Sequence, residues 1–265
     1  MADVFGWQLV LAFIVGSIWV TLTTVAAERF GTQVGGLVGG LPSTAVVSFF
    51  FIGLSQTPSV AAQSTTVFPL AYAFTGLFLV LYAALAVKGF AVALLGALLG
   101  WFALSALAVV ADVESFAVSL VVYGLVFAVA YYVLEKKLKV ASAPKGEIRH
   151  STRQIAWRAA FSGAVIAGVV LVSKVAGPLL GGIFSAFPAV FISTLIIAYR
   201  ARGIEFSRAI TKPLMITGMV TIVVYSAGVR YFYPGFGLVI GTLLAYAAAL
   251  ISALFTAVYI RKRLG

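Results

Sequence analysis

The 265-residue sequence predicts an all-α polytopic membrane protein of about nine transmembrane helices, arranged as an inverted-topology repeat of four helices, one linker helix and four helices, with Pro/Gly-broken helices 2 and 7. Three observations carry this expectation. First, 63% of residues are hydrophobic and 9% charged, with mean hydropathy +1.14, which excludes a domain with an ordinary polar surface. Second, the apolar runs are about 20 residues long and lack the alternation of barrel strands, so helices do the spanning. Third, one glycine- and proline-containing motif recurs at a fixed distance.

The elements follow in order. Helix 1 occupies 6–27; the start "MADVFGWQLV" has no basic n-region, so this segment is expected to stay in the mature chain. Helix 2, 35–55, contains "GGLVGGLPSTAVVS" and no charge. Helices 3, 4 and 5 are read at 67–87, 90–111 and 115–134. A basic connection follows, and then helices 6 to 9 at 155–173, 178–199, 209–229 and 235–260.

The connection after helix 5 carries Lys136, Lys137, Lys139, Lys145, Arg149, Arg153 and Arg158. The positive-inside rule places it in the cytoplasm, and every other loop is then fixed. Sixteen of the 18 Lys and Arg residues fall inside, leaving only Lys174 and Arg230 outside. Asp3, Asp112 and Glu114 also fall outside. The expectation is a multi-pass cell-membrane protein with its N-terminus outside and its C-terminus cytoplasmic. The net charge of +11 therefore reads as an orientation signal beside anionic membrane lipid, with no nucleic-acid partner.

The recurring motif is "GGLVGGLP" at 35–42 and "GGIFSAFP" at 181–188. Gly35, Gly36 and Pro42 match Gly181, Gly182 and Pro188 at a separation of 146 residues, and the same separation sets Gly89 and Phe90 on Gly235 and Phe236. The chain is accordingly divided into a first repeat at 1–112, a linker helix with its basic loop at 113–153, and a second repeat at 154–265. Five spans precede the second copy, so the copies face opposite sides of the membrane.

A proline within a span removes a backbone donor and crowds the preceding turn. A carbonyl freed in hydrocarbon is costly unless protein, water or ligand meets it, so paired breaks predict a protected chamber. Ser43 and Thr44 open a half-helix whose N–H groups favour an anionic group. The expected solute site joins Gly39, Gly40, Pro42, Ser43, Thr44 and Ser48 to Ser185, Pro188, Ser193 and Thr194. Hydroxyl and carbonyl oxygens there could also hold Na+. Glu28 and Lys174, again 146 apart, are the charged gating candidates. The alternative for these charges is residence in the membrane interface. The GxxxG pairs Gly35/Gly39, Gly36/Gly40 and Gly96/Gly100 suit close helix packing, within the chain or in a homo-oligomer.

No Asp or Glu stands at a span centre, which disfavours an antiporter built on buried carboxylates. One His, three Met and no Cys disfavour a transition-metal carrier, and no metal site or cofactor is expected. "GFGLVIG" at 235–241 has the wrong spacing for a dinucleotide loop. With no nucleophile–base set in view, no enzyme is expected. The functional expectation is a secondary transporter or facilitator of a small polar solute, an organic anion or zwitterion. The alternatives are an ion channel or pore, and a non-transporting lipid-handling or assembly protein.

Overall fold

The computed structural model describes residues 2–29, 42–140 and 151–264, and the regular elements among them are all helical. α1 spans Ala2–Arg29. Pro42, with φ −74° and ψ 63°, lies outside the next helix and caps it, its carbonyl accepting the Val46 N–H at 3.0 Å; α2 then runs Ser43–Ser55. The chain turns at Thr57, whose hydroxyl accepts the Val60 N–H at 3.2 Å. Pro58 follows in the first turn of α3 (Pro58–Ser64), where an N–H is not needed.

α4 (Phe68–Leu85) continues through a 3₁₀ turn at Ala86–Lys88, and α5 covers Phe90–Val110. α6 (Phe116–Tyr132) is extended by a π turn at Val133–Lys137. α7 (Thr152–Ser185) begins with a capping box in which the Gln154 N–H donates to Ser151 Oγ and the Ser151 N–H to Gln154 Oε1. α8 (Ala189–Ala209) and α9 (Thr211–Leu264) complete the chain.

Glycines set the corners. Gly177, Gly203 and Gly237 have φ of 86°, 80° and 74° with ψ near 180°, a region open in practice only to residues without a Cβ. Each is a point where a helix folds back on itself. Gly228 approaches Ala245 and Gly241 approaches Tyr233, so the limbs of α9 pack antiparallel about Gly237. Gly181 sits on Ser173 across Gly177. Gly89, with φ 104°, does the same between α4 and α5, where Gly96 meets Leu85 and Gly100 meets Leu81.

The contacts divide the molecule into two ends. At one, here the Gly177 end, Phe5 lies under Lys174, Ser55 is beside Lys174, and Thr66 and Phe116 meet Arg230. At the Gly89 end, Phe90 stacks on Tyr199 at 4.1 Å between ring centroids, Arg208 bonds the Ala83 and Leu138 carbonyls, and Lys212 pairs with Glu135. Lys88, Lys136, Lys137, Lys139, Arg200, Arg202, Arg208 and Lys212 all belong to the second end.

α1 and α7 run antiparallel, with Phe5 beside Lys174 and Ser17 beside Gly163 and Ala159. α4 and the first limb of α9 are antiparallel too: Tyr72 meets Gly218 and Gly76 meets Met219, while Thr66, just before α4, meets Arg230 and Ala83 meets Arg208, just before α9.

Six helices are long and apolar enough to cross a membrane, over Val4–Ala26, Phe68–Lys88, Phe90–Val110, Phe116–Lys137, Thr152–Ser185 and Thr211–Phe255. Their outward faces carry exposed Leu99, Val121 and Leu243, whereas Trp101, Tyr123 and Tyr225 are buried. This is compatible with a multi-pass integral membrane protein. The segments expected at 209–229 and 235–260 are the two limbs of α9. The segment expected at 178–199 is broken, because Ala186–Pro188 is not helical.

One correction concerns the repeat. Gly235, matched to Gly89 in sequence, lies inside the helical turn before the corner, and Gly237 adopts the conformation of Gly89. The register therefore slips by two residues there. The earlier part keeps the separation of 146. α2 and α8 start at 43 and 189, and the turn at Thr57 matches that at Gly203. Gly177 pairs in sequence with Gly31, which lies outside the described residues.

Candidate functional site

The interruption at Pro188 is complete. Pro188 (φ −76°, ψ 40°) precedes α8 as Pro42 precedes α2, and neither helix start has a side-chain cap. The freed backbone is nonetheless largely met by protein. Pro188 C=O accepts the Ile192 N–H at 2.8 Å and Phe187 C=O accepts the Ala189 N–H at 2.8 Å. Ala186 C=O accepts the Thr75 hydroxyl from α4 at 2.6 Å, and Thr75 Oγ1 accepts the indole N–H of Trp101 on α5 at 3.1 Å.

Trp101 is fully buried. Its ring sets its edge against Phe187 at 5.3 Å and Phe184 at 6.1 Å, holding both sides of the turn. An unpartnered carbonyl at this depth would cost about 1–3 kcal/mol, so the chain of three groups removes most of the penalty of the break.

The two half-helices do not have each other as principal neighbours. α2 packs on α1, α3, α7 and α9, and α8 on α4, α5, α7 and α9. An aromatic ladder along α4 links them. Phe49 of α2 meets Phe68 edge-on at 5.0 Å, and Phe68 stacks on Tyr72 at 5.8 Å. Tyr72 and Phe191 of α8 then close on Gly218, where a Cβ would lie 3.0 Å from the Phe191 ring and 3.4 Å from the Tyr72 hydroxyl.

The expected site residues are placed unevenly. Pro42, Ser48, Ser185, Pro188 and Ser193 are buried, and Ser43, Thr44 and Thr194 are half-buried. Gly39 and Gly40 lie outside the described residues, as does the side chain of Glu28. The Ser185 hydroxyl donates to Gly181 C=O at 2.7 Å, and Ser193 and Thr194 both donate to Val190 C=O at 2.9 and 2.7 Å. These three hydroxyls therefore serve their own helices in this conformation, and a solute would use their remaining acceptor capacity. Lys174 is exposed, 3.5 Å from Ser55 C=O and 6.0 Å from the Phe5 ring centroid, at the outer end of α2 and away from the breaks.

Sequence reasoning missed Thr75, Trp101, Tyr72, Arg208 and Arg230. A signal existed for two of them. Thr75 and Thr221, like Tyr72 and Gly218, are separated by 146 residues, but neither pair has the glycine–proline signature used to find the repeat. Arg208 bonds Ala83 C=O at 2.9 Å and Leu138 C=O at 3.0 Å, whereas Arg230 donates to Thr66 Oγ1 at 2.9 Å and covers the Phe116 ring at 5.1 Å. Arg208, at the end of α8, ties it to α4 and to the turn after α6, and Arg230 on α9 is tied to Thr66, just before α4, and to α6, so each arginine joins elements at one end of the molecule. No family model, curated protein or solved structure matches the chain.

Proposed function

We propose that the protein is a secondary transporter or facilitator of a small polar solute, an organic anion or zwitterion, working by alternating access between two inversely oriented halves. The observation that carries the reading is the doubled element order. In each half a long helix is followed by a proline-capped half-helix, a short helix, a second long helix, a glycine corner and a third long helix. α2 runs from Pro42 toward the Gly177 end, and α8 runs from Pro188 toward the Gly89 end. Two half-helices that start deep in the apolar layer and leave in opposite directions are the framework of an inverted-repeat carrier.

On this reading the nine spans comprise α1, α4, α5, α6, the long limb of α7, the two limbs of α9, and two broken segments centred on Pro42 and Pro188. The cation-rich Gly89 end is cytoplasmic, and the Gly177 end with both Lys174 and Arg230 is external. The solute sits between the uncapped starts of α2 and α8, whose N–H groups favour a carboxylate or similar anion, flanked by Ser43, Thr44 and Ser48. Any coupling Na+ is held by hydroxyl and carbonyl oxygens. Catalysis has no part in this reading.

The test is flux. Purified protein in liposomes exchanges a labelled solute drawn from a metabolite panel, and the Pro42→Ala, Pro188→Ala double variant loses most of that exchange. Unchanged exchange in the double variant removes the site; single-channel current at rates far above a carrier's replaces the carrier with a pore.

A further inference from the structure

Serine and threonine in apolar helices usually return their hydroxyl to a carbonyl one turn back, and Thr21, Thr24, Thr194 and Thr242 do so here. Thr75 does not. It reaches across to Ala186, 111 positions on in sequence, and its hydroxyl is fixed in that direction by the buried Trp101 N–H behind it. A carbonyl one turn back, at Ala71, lies within the ordinary repertoire of a helical threonine. Thr75 is thus seen in the arrangement that ties α4 to the interruption, and the arrangement usual for a helical threonine would leave it untied.

Position 221, 146 residues on, is also threonine, buried in the middle of the first limb of α9. α4 and that limb cross where Tyr72 faces Gly218, themselves 146 apart, so Thr75 and Thr221 lie about equally far from the crossing on the two antiparallel helices. We propose that Thr75 is a latch on the Pro188 interruption that is closed in one access state only, with Trp101 as its positioning residue, and that Thr221 is the corresponding latch for the Pro42 interruption in the opposite state. This rests on the alternating-access reading above.

The chain has no cysteine, so single-cysteine reporters need no background removed. Ser48→Cys and Thr194→Cys, at equivalent places in the two half-helices, are labelled with a membrane-impermeant maleimide in lipid nanodiscs, where both faces are open. Thr75→Val is expected to raise the ratio of labelling rates at 194 over 48 by about fivefold, the population shift of one lost hydrogen bond. Thr221→Val is expected to lower it by a similar factor. Trp101→Phe shifts it the same way as Thr75→Val but less, and Thr75→Ser, which keeps the hydroxyl, restores the parent ratio.

A merely structural role would loosen the protein without opposite signs, so ratios that move together, or stay put, in the two Val variants overturn the latch. If Thr75→Val does not fold, an unchanged ratio in Trp101→Phe overturns it equally. Opposite shifts in a protein that moves no solute keep the latch and remove the transport reading. Solute exchange with unmoved ratios removes the latch alone.

Discussion

Gly182 shows how tightly single positions are set. A Cβ there would collide with the Ser64 carbonyl oxygen and lie 2.9 Å from Val67, and the backbone cannot retreat as a flexible side chain can. Gly182→Ala is therefore expected to destabilise the protein by about 1–3 kcal/mol through overpacking. Gly168, with nothing within 4 Å of the added atom, accepts alanine without loss. Thermal unfolding of the two variants in detergent checks the pair: equal melting temperatures would mean that α3 and the short limb of α7 are not in close contact. Gly182 was legible as an anchor of the repeated motif, not as a packing glycine. Its partner was not, because nothing in the run 58–64 advertises that its last carbonyl meets α7. The Thr75–Trp101–Ala186 chain was hidden for a similar reason: it joins residues from three helices whose proximity only the tertiary packing decides.

At the scale of elements, the glycine corners decide where helices turn back, and Gly235 and Gly237 offer a direct comparison. Gly237 has φ 74° with ψ −177°, so Gly237→Ala is expected to cost about 1–3 kcal/mol in backbone strain. Gly235 is in ordinary helical conformation with open space around it, and alanine there is expected to stabilise by up to about 1 kcal/mol. The reverse order of melting temperatures would put the corner back at the position that sequence matching favoured. The apolar runs disclosed the long helices well, since about 20 residues without charge leave few options. They could not locate the reversal inside α9, where Pro234, Gly235 and Gly237 are all plausible breakers and only one carries the positive φ. Breaks were expected at Pro42 and Pro188; a helix begins directly after each, and at Pro188 the preceding helix ends at Ser185.

For the whole molecule, the separation of charge between the two ends is the property that meets the membrane. Among the described residues, the Gly177 end carries Lys174 and Arg230 together with Asp112 and Glu114, while the opposite end gathers eight cations from four chain segments. Lys174→Cys is expected to react with an impermeant maleimide added to intact cells, and Lys88→Cys only after the membrane is opened. Both reacting from outside would break the proposed orientation and the antiparallel arrangement with it. The uneven distribution of cations was legible because loop cations are counted directly, whereas the way the helices meet was not.

That meeting has a further consequence. α1 crosses α7 at Ser17 and Gly163, and α4 crosses α9 at Tyr72 and Gly218; in both pairs the partners are 146 residues apart, so on the proposed repeat each residue confronts its own counterpart. Two identical chains joined in this way would have to set the same side chain against itself at both crossings, leaving a void with two glycines or a collision with two tyrosines. A single polypeptide escapes that restriction by filling one side and emptying the other, and so gains a centre more densely filled than strict symmetry could supply.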